Sequence, residues 1–296
     1  MPYASIDVGS NTTRLLVAEV RDGRLRELMS QRAYTRLGKS ITKGTDIPES
    51  KIAETAAIVE RQARQARELG AREIVVVGTA AVRAAANRDD LVDAIEREAG
   101  LTIRVLNEDE EATLSFIGAT RTAPAPLEGT VAVIDVGGGS TEIVFGTLSD
   151  GVTWQSSFSI GSGFLADSYL HSDPPSVGEL EDVRRHVAGV FEGLELPQAD
   201  QAVAVGGTAN ALRRIVGTVF EHETLERAIR ILASEKRDNV SRRFEIDMER
   251  VHILPGGVLI FEQLSDQMGL PLAMGKGGLR DGVLLEIAAN EAGAHG

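Results

Sequence analysis

One motif is written twice in this chain. Ile6-Asp7-Val8-Gly9-Ser10-Asn11-Thr12-Thr13-Arg14-Leu15-Leu16-Val17 is echoed by Ile134-Asp135-Val136-Gly137-Gly138-Gly139-Ser140-Thr141-Glu142-Ile143-Val144-Phe145. Each copy reads as an apolar strand ending in Asp, a tight Gly/Ser/Thr turn and a second apolar strand. Such a turn exposes N–H groups and hydroxyls that can cradle phosphate oxygens. Two facing copies would make a cleft that grips a phosphate chain from both sides. The copies differ where chemistry can differ, because Arg14 stands where the second copy has Glu142.

A chain of 296 residues can build two cores, in keeping with the duplication. It has no cysteine, which excludes structural disulfides and Cys-ligated zinc or iron–sulfur sites. The N-terminus has no basic leader and runs straight into the first strand, and no uncharged apolar run approaches the ~20 residues of a membrane span. A soluble cytoplasmic protein without a membrane partner is expected. The net charge of −13 argues against nucleic acid. A local arginine cluster and a divalent cation could still reverse the field within one cleft. Five scattered histidines give no metal-site pattern.

The organisation reads as α/β. Strands separated by Asp22-Gly23 form a meander from Tyr3 to Ala33, and a helix opens at Pro48-Glu49-Ser50 and stops at Gly70. Strands at 73–77 and 102–106 alternate with helices over 80–86 and 89–99 and from Asp109. The prolines of Thr122-Ala123-Pro124-Ala125-Pro126 mark a linker, which predicts domains over 1–124 and 125–296. The last helix, about 279–290, is expected to pack back on the first domain. Ala202–Val205 leads through Gly206-Gly207-Thr208 into another helix. Leu254-Pro255-Gly256-Gly257 should precede a helix to about Leu264, and Ala228–Arg243 should form a solvated helix.

Three glycines in a row at Gly137-Gly138-Gly139 cost backbone entropy, which makes sense if the backbone must approach a ligand closely. No Gly-Lys-Ser/Thr follows either turn, so neither is a nucleotide P-loop. Asp135 and Glu142 bracket the second turn, and in a hairpin both could lie beside one phosphate, a donor set suited to Mg²⁺. Asp7 is either a third acidic group there or a turn-capping residue. Glu108, Asp109 and Glu110 suit the acidic first turn of a helix. Glu111 would serve as a general base only if it points into the cleft. Arg83 and Asn87 fall one helical turn apart, and the Arg83 fork suits phosphate oxygens.

Taken together, the chain resembles the exopolyphosphatase/guanosine pentaphosphate phosphatase (Ppx/GppA) family, of the actin, heat-shock chaperone and sugar kinase superfamily. The resemblance rests on the Ile6 and Ile134 motifs, Arg36-Leu37-Gly38, Thr79 to Arg88, Glu110-Glu111-Ala112, Gly207-Thr208-Ala209 and Leu279-Arg280-Asp281-Gly282. It implies two actin-like (ribonuclease H-like) domains with an interdomain cleft. It also implies hydrolysis of the terminal phosphate of polyphosphate, of guanosine pentaphosphate, or of both. Glu111 falls on the family's catalytic glutamate and Arg83 on its phosphate-gripping arginine. Asp135 and Glu142 fall on its metal positions for Mg²⁺ or Mn²⁺, with Asp7 as a further acidic group. Gly9, Ser10, Asn11, Thr12, Gly137, Gly138, Gly139, Ser140 and Thr141 fall on its phosphate loops, joined by Gly207, Thr208 and Arg280.

The resemblance has two departures. Gly161-Ser162-Gly163-Phe164 stands where members carry a small residue and then arginine, so one basic contact is expected to be missing. The chain ends at Gly296 without the extra C-terminal domains of longer members, which suggests a preference for short chains. Relatives often form homodimers. A sugar kinase or nucleotide-driven ATPase, and a sensor that binds polyphosphate or the alarmones pppGpp and ppGpp without turnover, are the competing readings. A nucleoside end would need a base-sized pocket, for which the 206–210 turn is the candidate.

Overall fold

Alternation within the first strand decides how the first sheet is covered. The computed structural model describes residues 1–21, 23–40 and 45–294, so Asp22 and Gly296 lie outside the described residues. In β1 (Pro2–Val8), Ala4, Ile6 and Val8 face one side, and Tyr3, Ser5 and Asp7 the other. A meander through β2 (Thr12–Arg21) and β3 (Arg24–Tyr34) leads to α1 (Leu37–Ser40) and α2 (Glu49–Glu68). Then β4 (Ile74–Gly78), α3 (Ala80–Ala84), α4 (Arg88–Ala99), β5 (Ile103–Val105) and α5 (Glu108–Arg121) follow.

The pattern restarts with β6 (Val131–Val136), β7 (Thr141–Thr147) and β8 (Gly151–Phe158), followed by α6 (Ser162–Tyr169), α7 (Val177–Val190), β9 (Gln201–Val205) and α8 (Gly206–Val216). It continues through β10 (Val219–Phe220), α9 (His222–Ser234), α10 (Arg237–Phe244), α11 (Met248–Met268), β11 (Leu272–Met274) and α12 (Leu279–Ala294). The chain divides into two compact units: Met1–Thr122 with the segment from Gly277 onward, and Ala123–Lys276.

The sheets are ordered β3-β2-β1-β4-β5 and β10-β11-β9-β6-β7-β8. Read from β8, the second sheet repeats the first, with β10 added at the far edge. The duplication is therefore one of fold. In the first unit, Ala4, Ile6, Val8, Leu15 and Val17 pack with Ile52, Val59, Leu91 and Ile95 of α2 and α4. On the opposite face Tyr3, Leu16 and Ala18 pack with Leu114 of α5 and with Val283, Leu284 and Ile287 of α12. Each fully buried Val, Leu or Ile among them contributes about 1.5–3 kcal/mol. α5 and α12 meet backbone to backbone: a Cβ at Gly282 would lie 1.9 Å from the Leu114 carbonyl oxygen, and one at Gly118 would lie 1.9 Å from that of Gly278.

Three local expectations need correction. Pro255 does not precede a helix but lies inside α11. Its glycine neighbours are what the packing needs, since a Cβ on Gly257 would come 2.3 Å from Thr208 Cγ2 and one on Gly256 2.9 Å from Leu165 Cβ. The 228–243 stretch is two helices broken at Glu235-Lys236, with Leu232 and Val240 buried rather than solvated. α3 ends at Ala84, so Arg83 and Asn87 share no helical face; the Asn87 amide instead clasps the backbone of Ile47 at 2.7 and 3.1 Å. Among the described residues no helix is long and apolar enough to cross a membrane.

Candidate active site

Each duplicated motif is a β-hairpin closed by the same bond. Gly9 N–H donates to the Thr12 carbonyl at 3.1 Å, and Gly137 N–H to the Ser140 carbonyl at 2.9 Å. A clamp after the third strand of each sheet holds the turn from behind. In the first unit Gly38 N–H donates to Ser10 O at 2.7 Å and Arg36 N–H to Asn11 O at 3.1 Å. In the second, Ser162 N–H donates to Gly137 O, and the Gly163 and Phe164 N–H groups donate to Gly138 O, each at 2.9 Å. The turn carbonyls are thereby drawn into the scaffold. Among the described residues none accepts a bond from the N–H groups of Ser10, Asn11, Gly138 or Gly139. Such turns present donors outward, as an anion cradle needs.

The segment that lacks the expected arginine is thus a backbone clamp. A Cβ at Gly161 would lie 2.6 Å from the Gly138 carbonyl carbon, which explains the small residues there.

Strand register sets the charges. Asp135 is paired with Glu142 across β6 and β7, and Glu142 with Ser157 across β7 and β8. Directly opposed residues share a face, so the two carboxylates stand side by side. Glu142 is buried, and the Ser157 hydroxyl donates to its Oε1 at 3.2 Å. Asp135 lies against Gly206: a Cβ there would fall 2.1 Å from Asp135 Oδ1, and the Gly206 φ of +84° is one that L side chains rarely adopt. Gly206, which the sequence offered only within a strand–turn–helix junction and as part of a candidate base pocket, is therefore the residue that makes room for the carboxylate. Its signal was the strand-Gly-Gly junction after β9.

In the first unit the equivalent pair is Asp7 and Arg14, and Arg14 pairs with Arg32. Arg14 Nε donates to Thr12 Oγ1 at 3.1 Å. Burial pushes the Asp7 carboxyl above the usual carboxylate range, while Arg14 and Arg280 pull it down. Among the described residues, nothing bonds its buried Oδ1.

Glu111 and Arg83 are brought together from separate helices. Glu111 is buried in the first turn of α5, and Arg83 Nη1 donates to its Oε2 and to the Leu106 carbonyl, each at 2.9 Å. A capping box between Asn107 and Glu110 fixes the start of α5. Glu110 is further tied to Arg104 at 2.8 Å.

Other predicted residues act as scaffold. The Thr141 hydroxyl donates to Ile160 O and the Thr208 hydroxyl to Val136 O, and both side chains are fully buried. Arg280 donates to Leu15 O at 3.0 Å and to Ser30 Oγ at 3.3 Å. Burial and then Arg14 push its pKa down, while Asp281 and Asp7 support its charge. Residues 206–210 form the first turn of α8. Among the described residues no group of three or more His, Asp or Glu side chains is placed to hold a metal. Asp135 and Glu142 form a pair, and Asp7 lies in the first unit.

Residues 16–291 match the model of the Ppx/GppA phosphatase family. The chain is 29% identical over 322 residues to exopolyphosphatase 2 of Mycobacterium tuberculosis, covering 96% of this chain and 98% of that protein. It is 26% identical over 305 residues to the guanosine-5'-triphosphate,3'-diphosphate pyrophosphatase of Aeromonas hydrophila, covering 97% of this chain but only 60% of that enzyme's length. The crystal structure of the Aquifex aeolicus member of the Ppx/GppA protein family superposes with a TM-score of 0.83 at 26% identity, covering 98% of each chain.

Proposed function

The chain belongs to the Ppx/GppA phosphatase family, and from that premise we propose that it is an exopolyphosphatase, hydrolysing the terminal phosphoanhydride bond of inorganic polyphosphate. The observation that carries this reading is the buried Glu111 carboxylate held at 2.9 Å by Arg83. A carboxylate fixed in one orientation is suited to accept a proton from an attacking water. Phosphoryl transfer otherwise asks mainly for positioning and charge stabilisation, which the outward N–H groups of the turns can supply.

Two opposed carboxylates fit Mg²⁺ or Mn²⁺, which take one or two carboxylates and fill the remaining positions with waters and phosphate oxygens. Asp135 and Glu142 would hold the ion, and Gly206 leaves Asp135 the room to do so. When bound, the ion supplies positive charge to the phosphate oxygens. Glu111 receives the proton, Arg83 orients Glu111, and the Gly9–Thr12 and Gly137–Ser140 turns hold phosphate oxygens.

Removal of the 5'-terminal phosphate of guanosine pentaphosphate is the second reading, favoured by the likeness to the Aeromonas enzyme over 97% of this chain. Phosphate release with Mg²⁺ from tripolyphosphate, long polyphosphate and guanosine pentaphosphate separates the two. We expect release from polyphosphate that falls about 10²–10⁴-fold in Glu111→Ala and stops on chelation of the metal. Release from guanosine pentaphosphate alone would replace the first reading with the second. Undiminished turnover in Glu111→Ala would remove Glu111 from the reaction.

A further inference from the structure

We propose that Gln62 of α2 is a positioning residue for the first turn: its buried amide holds the Thr13 carbonyl on the strand that leaves the turn, and so sets the path on which Gly9–Thr12 present their N–H groups. The inference rests on the reading of that turn as a phosphate cradle. Every residue it invokes in the first turn and its supports lies in the first unit.

The first argument is where the amide lies. Ile52, Ala56, Val59, Ala63 and Ala66 of α2 pack in the core of the first sheet, and Gln62 sits among them, fully buried. Its Nε2–H donates to Thr13 O at 3.3 Å, and among the described residues nothing bonds its Oε1. A buried amide satisfied on one side only is costly, and one long hydrogen bond does not offset that, whereas methionine would fill a similar space without the cost. For stability alone this position would be better served by an apolar side chain. The amide is therefore kept for the bond it makes.

The second argument is what that bond holds. Thr13 directly follows Thr12, whose carbonyl closes the turn with Gly9 N–H, and its register partner, Val8, directly precedes Gly9. The Thr13 hydroxyl meets that of Thr35 at 3.2 Å, both side chains fully buried. Lys51, also on α2, donates from Nζ to Thr35 O at 3.0 Å, and the next N–H along the chain, that of Arg36, holds Asn11 O in the turn. α2 thus grips the base of the turn from two sides, through Gln62 on the hairpin and through Lys51 on the clamp.

The duplication supplies an internal control. In the second unit Thr141 stands at the position of Thr13, and its hydroxyl donates straight to Ile160 O at 2.7 Å, beside the clamp. α6 and α7 stand between β8 and β9 as α1 and α2 stand between β3 and β4, but the buried residues of α7, Leu180, Val183 and Val187, are all apolar. Among the described residues, the side-chain hydrogen bonds of α7 run to residues 171–176, to Asp182 and to Glu262 rather than to the turn. The tie from the longer helix to the turn is a property of the first copy alone.

Gln62→Met tests the inference, because it removes the amide while keeping the side chain long and unbranched. Thr55→Val is its control: Thr55 is fully buried on the same helix two turns earlier, and among the described residues its hydroxyl bonds nothing. The readouts are amide hydrogen exchange at Gly9 and steady-state phosphate release from inorganic tripolyphosphate. Gln62→Met should melt no lower than wild type and exchange the Gly9 N–H about three- to tenfold faster, with exchange at Gly137 unchanged. Its KM should rise about three- to tenfold while kcat stays within about twofold, and Thr55→Val should match wild type in both readouts. A lower melting temperature in Gln62→Met, an unchanged Gly9 rate or KM, or an equal change in Thr55→Val overturns the positioning role. Wild-type protein that releases no phosphate would instead overturn the hydrolase reading, while exchange at Gly9 still decides the role of Gln62.

Discussion

Arg83 can act on substrate or through Glu111, and the structure makes the second role quantitative. One nitrogen of its guanidinium bridges Glu111 Oε2 and the Leu106 carbonyl at 2.9 Å each, with the Arg83 side chain 21% exposed and that of Glu111 9%. A hydrogen bond to a charged group is worth about 1.5–3 kcal/mol. Losing it in Arg83→Ala releases the carboxylate from its set orientation and should slow turnover roughly ten- to a hundredfold. Glu111→Ala alone should cost about 10²–10⁴-fold. If Arg83 works by orienting Glu111, the double variant should be no slower than Glu111→Ala, because the orienting group has nothing left to orient. The assay is kcat for phosphate release at saturating tripolyphosphate for wild type, both single variants and the double, each shown folded by circular dichroism. A double variant slowed by the product of the two single effects would refute the orienting role and place Arg83 on the phosphate independently.

Two further outcomes follow from packing and titration. Gly282→Ala puts a methyl 1.9 Å from the Leu114 carbonyl oxygen, which forces α5 and α12 apart. Such overpacking typically costs about 1–3 kcal/mol and should lower the melting temperature by several degrees; because Glu111 is on α5, activity should fall with it, and an unchanged melting curve would show that the crossing is slack. Burial alone would raise the Glu179 carboxyl, but N–H groups of Ser176, His171 and Ser172 and the Ser176 hydroxyl hold it down to about 2 from 4.5. Its stabilising contribution is therefore complete above pH 4.5 and lost as pH falls towards 2. Glu179→Gln should be less stable at pH 7 by about 1–2 kcal/mol after allowance for solvent screening, with the difference closing towards pH 2; a deficit that persists in acid would mean that the loss is not electrostatic.

The features legible in the sequence were those encoded locally. An apolar run ending in Asp, a glycine-rich turn and a second apolar run predict a hairpin, and the seven-residue spacing of Asp135 and Glu142 then places them opposite each other. What stayed hidden depends on contacts distant in sequence. Pro255 reads as a helix breaker, yet α11 continues through it, its glycine neighbours admitting Thr208 and Leu165. Arg83 and Asn87 suggested one helical face, until a turn ending α3 gave Asn87 to the Ile47 backbone. Composition does not reveal that Gly206 faces Asp135, that residues 161–164 clamp the second turn, or that Gln62 reaches Thr13. Each needs a sheet register or a tertiary neighbour to become meaningful.

The two copies of the motif diverge in a way that separates backbone from side-chain requirements. The turn bond and the clamp are retained in both, because a cradle of N–H donors depends on backbone path and tolerates Ser10-Asn11 as well as Gly138-Gly139. The opposed residues behind the turns are not retained. Asp7 faces Arg14, a pairing that partly offsets its own burial. Asp135 faces Glu142, and like charges directly opposite on a sheet are destabilising. The Ser157 hydroxyl offsets part of that repulsion but brings no positive charge. Like charges are directly opposed in both copies, Asp135 with Glu142 in the second and Arg14 with Arg32 in the first, and such breaks of a local rule mark positions under functional constraint. The sign of the opposed charges is what differs between the copies, two acids in the second hairpin and two bases in the first.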